Sequence, residues 1–206
     1  MIISSNKELV DYLKQIGAIR SDKVEKAFLK VDRKHFVPDK YKELAYIDRP
    51  LPIGYGQTIS APSVIALTLE ALDINKNDKI LEVGTGSGYS TALLAELAKK
   101  VISIEKIPEL AEQARSRLKK LGYRNVQIIV SDGKLGYFPE APYDKIVVWA
   151  AAEKIPQPLI EQLKEGGRIV IPVNDRYGSQ DLMLCEKAAG KLVCRPIEKV
   201  IFVPLL

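Results

Sequence analysis

Three glycines at alternate positions, in Leu81-Glu82-Val83-Gly84-Thr85-Gly86-Ser87-Gly88, constrain this chain more than any other stretch. The octet follows an apolar run (Ile80, Leu81, Val83) and precedes a helical pattern from Thr91 to Leu97, so it reads as a strand-to-helix turn. Glycines there let the backbone take positive φ and approach a ligand without Cβ contacts. A dinucleotide fold wants G-x-G-x-x-G, so that its helix packs closely and meets a pyrophosphate. Here Tyr89 stands where the last glycine should be, and Glu82 lies two residues before the first. A carboxylate beside a pyrophosphate is repulsive. Beside a ligand carrying a sulfonium and an ammonium it is favourable.

The chain around the octet alternates. Predicted elements are a helix from Pro62 to Leu72, a strand from Lys79 to Val83, a helix from Ser90 to Lys99 and a strand from Val101 to Glu105. A helix from Pro108 to Leu121 and strands at Val126 to Val130 and Lys145 to Trp149 follow, then a short helix from Pro158 to Leu163 and a strand from Arg168 to Val173. This rhythm implies a parallel sheet covered on both faces. Leu182 to Glu186 and Leu192 to Pro196, about a turn at Ala189-Gly190, read as an antiparallel hairpin, with Val200 to Leu205 as a final strand. Upstream, Ser5-x-x-Glu8 has the form of a capping box, and Leu9, Val10, Leu13 and Ile16 share one helical face that ends at Gly17. A second helix starts at Ser21 with Val24, Ala27, Phe28 and Val31 as its buried stripe. Residues 33–60, with Pro38, Pro50, Pro52, Gly54 and Gly56, read as an extended, loop-rich segment. The expected fold is α/β: a doubly wound, mostly parallel sheet in a single domain. Residues 1–60 form an N-terminal helical and substrate-loop extension, and residues 61–206 form the cofactor-binding core with an antiparallel C-terminal part.

A chain of 206 residues with 47% hydrophobic and 28% charged residues is that of a globular protein with a substantial core. No apolar run approaches the roughly 18 residues of a membrane span. No basic n-region or cleavable apolar segment opens the chain, so a cytoplasmic location is expected. The net charge of +5 is small for the length and its basic residues are scattered among acids, which makes a nucleic-acid partner unlikely. The many Lys, Glu and Ile residues are compatible with a thermophilic source. Cys185 and Cys194 lie symmetrically about Ala189-Gly190, close enough across a hairpin for a disulfide; in an ordinary cytosol two buried thiols are the expectation.

Ligands of such sheets lie beyond the carboxyl ends of the strands. Glu105 ends the second strand of the core about 20 residues after the glycine turn, where an acid accepts from a ribose hydroxyl pair. Asp132 with Gly133 follows the third, where an Asp can accept from an adenine amine while the glycine admits the flat ring; the plainer reading of Asp132 is a turn cap. The fourth strand ends Trp149-Ala150-Ala151-Ala152, without the Asn/Asp-Pro-Pro-aromatic motif by which amino-methyltransferases grip a flipped base. Its small residues point instead to a peptide passing backbone to backbone over the site. In Ile53-Gly54-Tyr55-Gly56-Gln57-Thr58-Ile59-Ser60-Ala61-Pro62, Pro62 suits a first helical turn and Ser60 its cap, beside a helix N-terminus that favours an anion.

The octet resembles the first motif of class I S-adenosylmethionine-dependent methyltransferases. Read with the Thr58-Ile59-Ser60-x-Pro62 segment, the chain resembles the protein-L-isoaspartate (D-aspartate) O-methyltransferase family. Further matches are Asp132-Gly133, Ala141-Pro142-Tyr143-Asp144 leading to Ala150-Ala151-Ala152, Leu163-Lys164-Glu165-Gly166-Gly167-Arg168, and Val203-Pro204-Leu205. Where some members of that family carry histidines just after the proline, this chain has Ser63, Val64 and Ile65. Its sole histidine, His35, lies in the extension and reads as structural.

The resemblance implies methyl transfer from S-adenosylmethionine to the α-carboxyl of L-isoaspartyl residues in damaged proteins, D-aspartyl sites being open, with no metal. Glu82, Gly84, Gly86, Gly88, Glu105, Asp132, Gly133 and Ser63 fall on the cofactor side. Tyr55, Gln57, Thr58 and Ser60 fall on the substrate side, with Ser60 and Thr58 as the catalytic pair. A carboxylate is already ionised near pH 7, so no general base has to be found. Two rivals share the glycines: an S-adenosylmethionine-dependent RNA methyltransferase, and a non-catalytic nucleotide- or peptide-binding module. Neither accounts for the Thr58 to Pro62 segment.

Overall fold

The computed structural model describes residues 3–175 and 178–205. Ser5 caps α1 (Asn6–Gln15) by accepting from Glu8 N–H, while the Glu8 carboxylate accepts from Ser4 rather than from the cap residue itself. α1 buries Leu9, Val10 and Leu13, but Ile16 sits at the C-cap and is exposed, against the expected face. Ser21 caps α2 (Asp22–Lys30), whose Val24, Ala27 and Phe28 are buried.

Residues 33–60 are more ordered than their prolines and glycines predict. Two 3-10 helices (Arg33–Phe36 and Asp39–Leu44) lead into an antiparallel hairpin of β1 (Leu51–Gly54) and β2 (Gln57–Ile59). Leu51 pairs with Ile59 and both are buried. In a two-stranded sheet Pro52 has an open side to face, so its missing N–H is tolerated.

The core then follows as α3 (Pro62–Leu72), β3 (Lys79–Val83), α4 (Tyr89–Leu97), β4 (Lys100–Glu105), α5 (Pro108–Lys120) and β5 (Val126–Val130). β6 (Tyr143–Val148), α6 (Gln157–Gln162), β7 (Leu163–Asn174), β8 (Gln180–Ala188) and β9 (Lys191–Val200) complete it. The strands form one seven-stranded sheet in the order β5-β4-β3-β6-β7-β8-β9, parallel from β5 to β7 and antiparallel from β7 to β9. Alternate residues of β3 feed opposite cores: Ile80 packs on the side of α3, α4 and α5, and Leu81 and Val83 on the side of α6. Such two-sided burial explains the unbroken apolar strands. The strand order reverses between β3 and β6, and the crevice beyond their carboxyl ends is the topological switch point.

The C-terminal part departs from expectation in two ways. β9 ends at Val200, and residues 201–205 form no strand of their own; they touch the fold through an isolated parallel bridge of Pro204 with Ala151. Cys185 and Cys194 are directly opposed in the hairpin and joined as a disulfide, overturning the expectation of two free thiols.

Candidate active site at the switch point

The glycine turn is held from below and from one side. Gly84 N–H and Thr85 N–H both donate to the Ile104 carbonyl at 2.8 and 3.2 Å, and Gly86 N–H donates to the Glu105 carboxylate at 2.8 Å. Gly84 and Gly86 have φ of +96° and +51°, conformations that a side chain strains. Both line a cavity of about 1030 Å³, as do Glu105, Gly133, the hairpin residues Gln57 and Thr58, and Ser60 just after them. This lies at the upper end of the roughly 300–1000 Å³ of small-molecule sites, with room for a cofactor and the side chain of a second ligand. Glu105 also accepts from Ile107 N–H at 3.0 Å, so each carboxylate oxygen is fixed by a backbone amide and keeps lone pairs for a ligand.

Several expected residues stand elsewhere. Glu82 is fully buried beneath the turn and is not on the cavity wall. Ser90, Thr91 and Ser103 hydroxyls donate to its oxygens at 2.5, 2.5 and 2.6 Å, and the Trp149 indole N–H donates at 2.9 Å. Burial pushes its pKa up and these donors pull it down, with burial the larger effect. Glu82 thus fastens α4, β4 and Trp149 to the base of the turn, with its oxygens taken by these four donors. Gly88 does not line the cavity; it is the N-cap of α4 with φ of +86°, a conformation that favours glycine, and an added Cβ would make only ordinary contact with Ala114 and Leu118 of α5. One Asp132 oxygen caps a 3-10 turn by accepting from Lys134 N–H at 2.9 Å, and Gly133 beside it reaches the cavity. Tyr55 is exposed at the hairpin tip, with φ of +53°, and does not line the cavity. His35 is exposed in the extension.

The start of α3 differs too. Its N-cap is Ala61, which makes no side-chain cap bond, so Ser60 is not the cap. The Ser63 N–H donates to the Asp48 carboxylate at 2.9 Å, and Ser63 does not line the cavity. The helix end therefore already holds an anion of the protein's own. Among the described residues neither the Thr58 nor the Ser60 hydroxyl has a hydrogen-bond partner, and both line the cavity.

The opposite wall was not foreseen. Trp149 lines it and stacks on Phe202, with ring centroids 6.5 Å apart and planes at 30°. The Gln180 amide grips the Phe202 backbone on both sides, accepting from its N–H at 2.6 Å and donating to its carbonyl at 3.2 Å. Ala151 N–H donates to the Val203 carbonyl and Leu205 N–H to the Ala151 carbonyl, each at 2.8 Å. A backbone thus does pass over the small residues 150–152, and it is the chain's own C-terminal strap. Trp149 could have been found from its place at a strand's carboxyl end; Gln180 and Phe202 carry no local signal.

A doubly wound sheet with a held carboxylate and a glycine turn at its switch point defines a Rossmann-like methyltransferase fold. The family model of protein-L-isoaspartate (D-aspartate) O-methyltransferase (PCMT) matches residues 4–206. A protein-L-isoaspartate O-methyltransferase of Methanopyrus kandleri is 52% identical over 98% of this chain and 91% of its own length. Protein-L-isoaspartate O-methyltransferase 2 of Archaeoglobus fulgidus is 58% identical over 90% of this chain and 85% of its own. The structure of the Plasmodium falciparum beta-aspartate methyltransferase (PCMT), in complex with S-adenosyl-L-homocysteine, superposes with a TM-score of 0.88 at 30% identity, covering 98% of this chain and 99% of that one. The chain belongs to the protein-L-isoaspartate (D-aspartate) O-methyltransferase family, which does not favour the RNA-methylating alternative.

Proposed function

We propose that the enzyme transfers the methyl group of S-adenosylmethionine to the α-carboxyl of L-isoaspartyl residues in damaged proteins, starting their repair through a succinimide. One observation carries the assignment of roles: the uncommitted Thr58 and Ser60 hydroxyls share a cavity with Gly84, Gly86 and Glu105. The fit to the cofactor rests on the glycine backbone, open to close approach, and on the fixed Glu105 oxygens, which suit a ribose diol. Gly133 lines the same cavity, its Cα packed against Val83. When bound, S-adenosylmethionine supplies an electrophilic methyl group on a sulfonium.

A substrate carboxylate oxygen forms the new bond to the methyl carbon as the carbon–sulfur bond breaks, its electron pair staying on sulfur. No proton moves, so the chain has no base to provide. Its task is to hold the carboxylate in line and exclude water. A hydroxyl that donates to the non-attacking oxygen restrains the group without blunting the attacking one; Ser60 and Thr58 fill this role, with Gln57 beside them. The cytoplasm is the compartment we propose, and the disulfide is then of the kind found in thermophile proteins. Among the described residues no helix is long and apolar enough to cross a membrane.

The test is Ser60→Ala with a matched pair of aspartyl and isoaspartyl peptides. Loss of one donor should lower kcat/KM on the isoaspartyl peptide by about 10- to 1000-fold, with cofactor affinity nearly unchanged. A variant that methylates at the normal rate removes Ser60 from the site. Equal methylation of both peptides by the wild-type enzyme sinks the substrate assignment.

A further inference from the structure

Arg33 is fully buried, yet among the described residues it has no carboxylate partner. Its guanidinium instead gathers backbone carbonyls. One terminal nitrogen donates to Ala45 and Ile47 at 2.7 and 3.4 Å, and the other to Arg49 and Ser60, each at 3.1 Å. Burial pushes its pKa down to about 10, so the group remains charged at neutral pH. A buried charge held by carbonyl dipoles, with Tyr89 and the Asp48 carboxylate adding attraction but no ion pair, is costly to keep, and a fork of this geometry can be replaced by no other side chain.

The carbonyls it gathers are informative. Three belong to the loop before the hairpin, and the fourth belongs to Ser60. Ser60 and Ala61 are the entire connector between β2 and α3. One side of the connector is fixed by Ile59, paired with Leu51, and the other by the first turn of α3. Between Ile47 and Arg49, whose carbonyls Arg33 holds, lies Asp48, and its carboxylate takes the Ser63 N–H at 2.9 Å. One guanidinium therefore fixes the Ser60 carbonyl directly and, through the 47–49 loop, the helix that follows.

We infer that Arg33 is a positioning residue for methyl transfer, setting the backbone at Ser60 so that its hydroxyl meets the substrate carboxylate. The inference rests on the proposed role of Ser60. Arg33 itself does not line the cavity. Lysine presents its donors from a single point and cannot span four separated carbonyls, so Arg33→Lys keeps the charge and releases the frame. A misplacement of about 1 Å at a reacting group can cost about 100-fold in rate.

The experiment is a double-mutant cycle of Arg33→Lys and Ser60→Ala, with kcat/KM on an isoaspartyl peptide, S-adenosylmethionine affinity and melting temperature measured for all four proteins. The expected result is a loss of about 10- to 100-fold in kcat/KM for Arg33→Lys with cofactor affinity unchanged. Ser60→Ala should then add less than about threefold in that background, because the hydroxyl is already misplaced. Asp48→Ala, which leaves the guanidinium in place and frees the start of α3, serves as a second cycle and remains measurable if Arg33→Lys does not fold. Additive effects in a folded cycle, normal turnover by Arg33→Lys, or a parallel loss of cofactor affinity overturn the inference. Should Ser60→Ala alone be fully active, the role of Ser60 fails; a damaging Ser60→Ala with an additive cycle removes only Arg33.

Discussion

Glu105 offers the most discriminating perturbation, because its two oxygens are already assigned. One accepts from Gly86 N–H at 2.8 Å and the other from Ile107 N–H at 3.0 Å. Glu105→Gln has nearly the same shape but only one oxygen, so one of those amides must face an NH₂ group. A hydrogen bond to a charged group contributes about 1.5–3 kcal/mol, and the amide left behind is 2.8 or 3.0 Å from a donor instead of an acceptor. At roughly 2–4 °C per kcal/mol for a chain of this size, the ligand-free protein should melt about 3–12 °C lower. The ribose diol loses an ionised acceptor as well, so calorimetry should show S-adenosylmethionine affinity falling tenfold to a hundredfold, about 1.4–2.8 kcal/mol. Glu105→Ala, which removes both backbone bonds, should lose at least as much on each count. A folded Gln variant that binds the cofactor with wild-type affinity would falsify the ribose assignment. Weaker binding with an unchanged melt would instead show that the glycine turn does not depend on Glu105.

Gly133→Ala would put a Cβ 2.2 Å from Val83 Cγ1, at the last residue of β3, so overpacking should lower stability by about 1–3 kcal/mol and weaken cofactor binding together; thermal melts and calorimetry check both. The disulfide closes a short loop across the β8–β9 hairpin, and reduction should lower stability by roughly 2–3 kcal/mol. Unfolding without reductant should expose no thiols to a titrating reagent. Asp144 is partly buried, which raises its pKa, but bonds from Lys164 and from Lys79 N–H, with nearby positive charges, outweigh this and hold it below the ordinary 3.8. Its stabilisation is therefore complete above 3.8 and lost as pH falls through the lowered native value. Acid titration of Asp144→Asn should show a shallower loss of stability below that pH, and an unchanged slope would contradict the assignment.

Much of the fold was legible in the residues because its signals are local. Pro62 and Leu72 bound α3, Lys79 and Val83 bound β3, and Val126 and Val130 bound β5, as the periodicity predicts. In each case a proline, a glycine or a change of apolar period marks the boundary within a few residues. The glycine turn, Glu105 and the Thr58 to Ser60 segment could be singled out for the same reason: each sits at a strand end whose position is set by its own neighbours.

What only the tertiary structure decided depends on residues far apart in the chain. Glu82 and Glu105 look alike as acids near strand ends, but Glu82 is closed in by donors from α4, β4 and the end of β6, while Glu105 opens onto the cavity. Residues 33–60 contain the prolines and glycines of a loop, yet a buried guanidinium and one pair of apolar side chains order them into turns and a hairpin. The strap at 201–205 has no periodicity to announce it and is held by one glutamine of β8 and by the Ala151 backbone just beyond β6. Local sequence sets which backbone conformations are accessible; which polar groups are enclosed and which are left open to a ligand is set by the partners that packing brings to them.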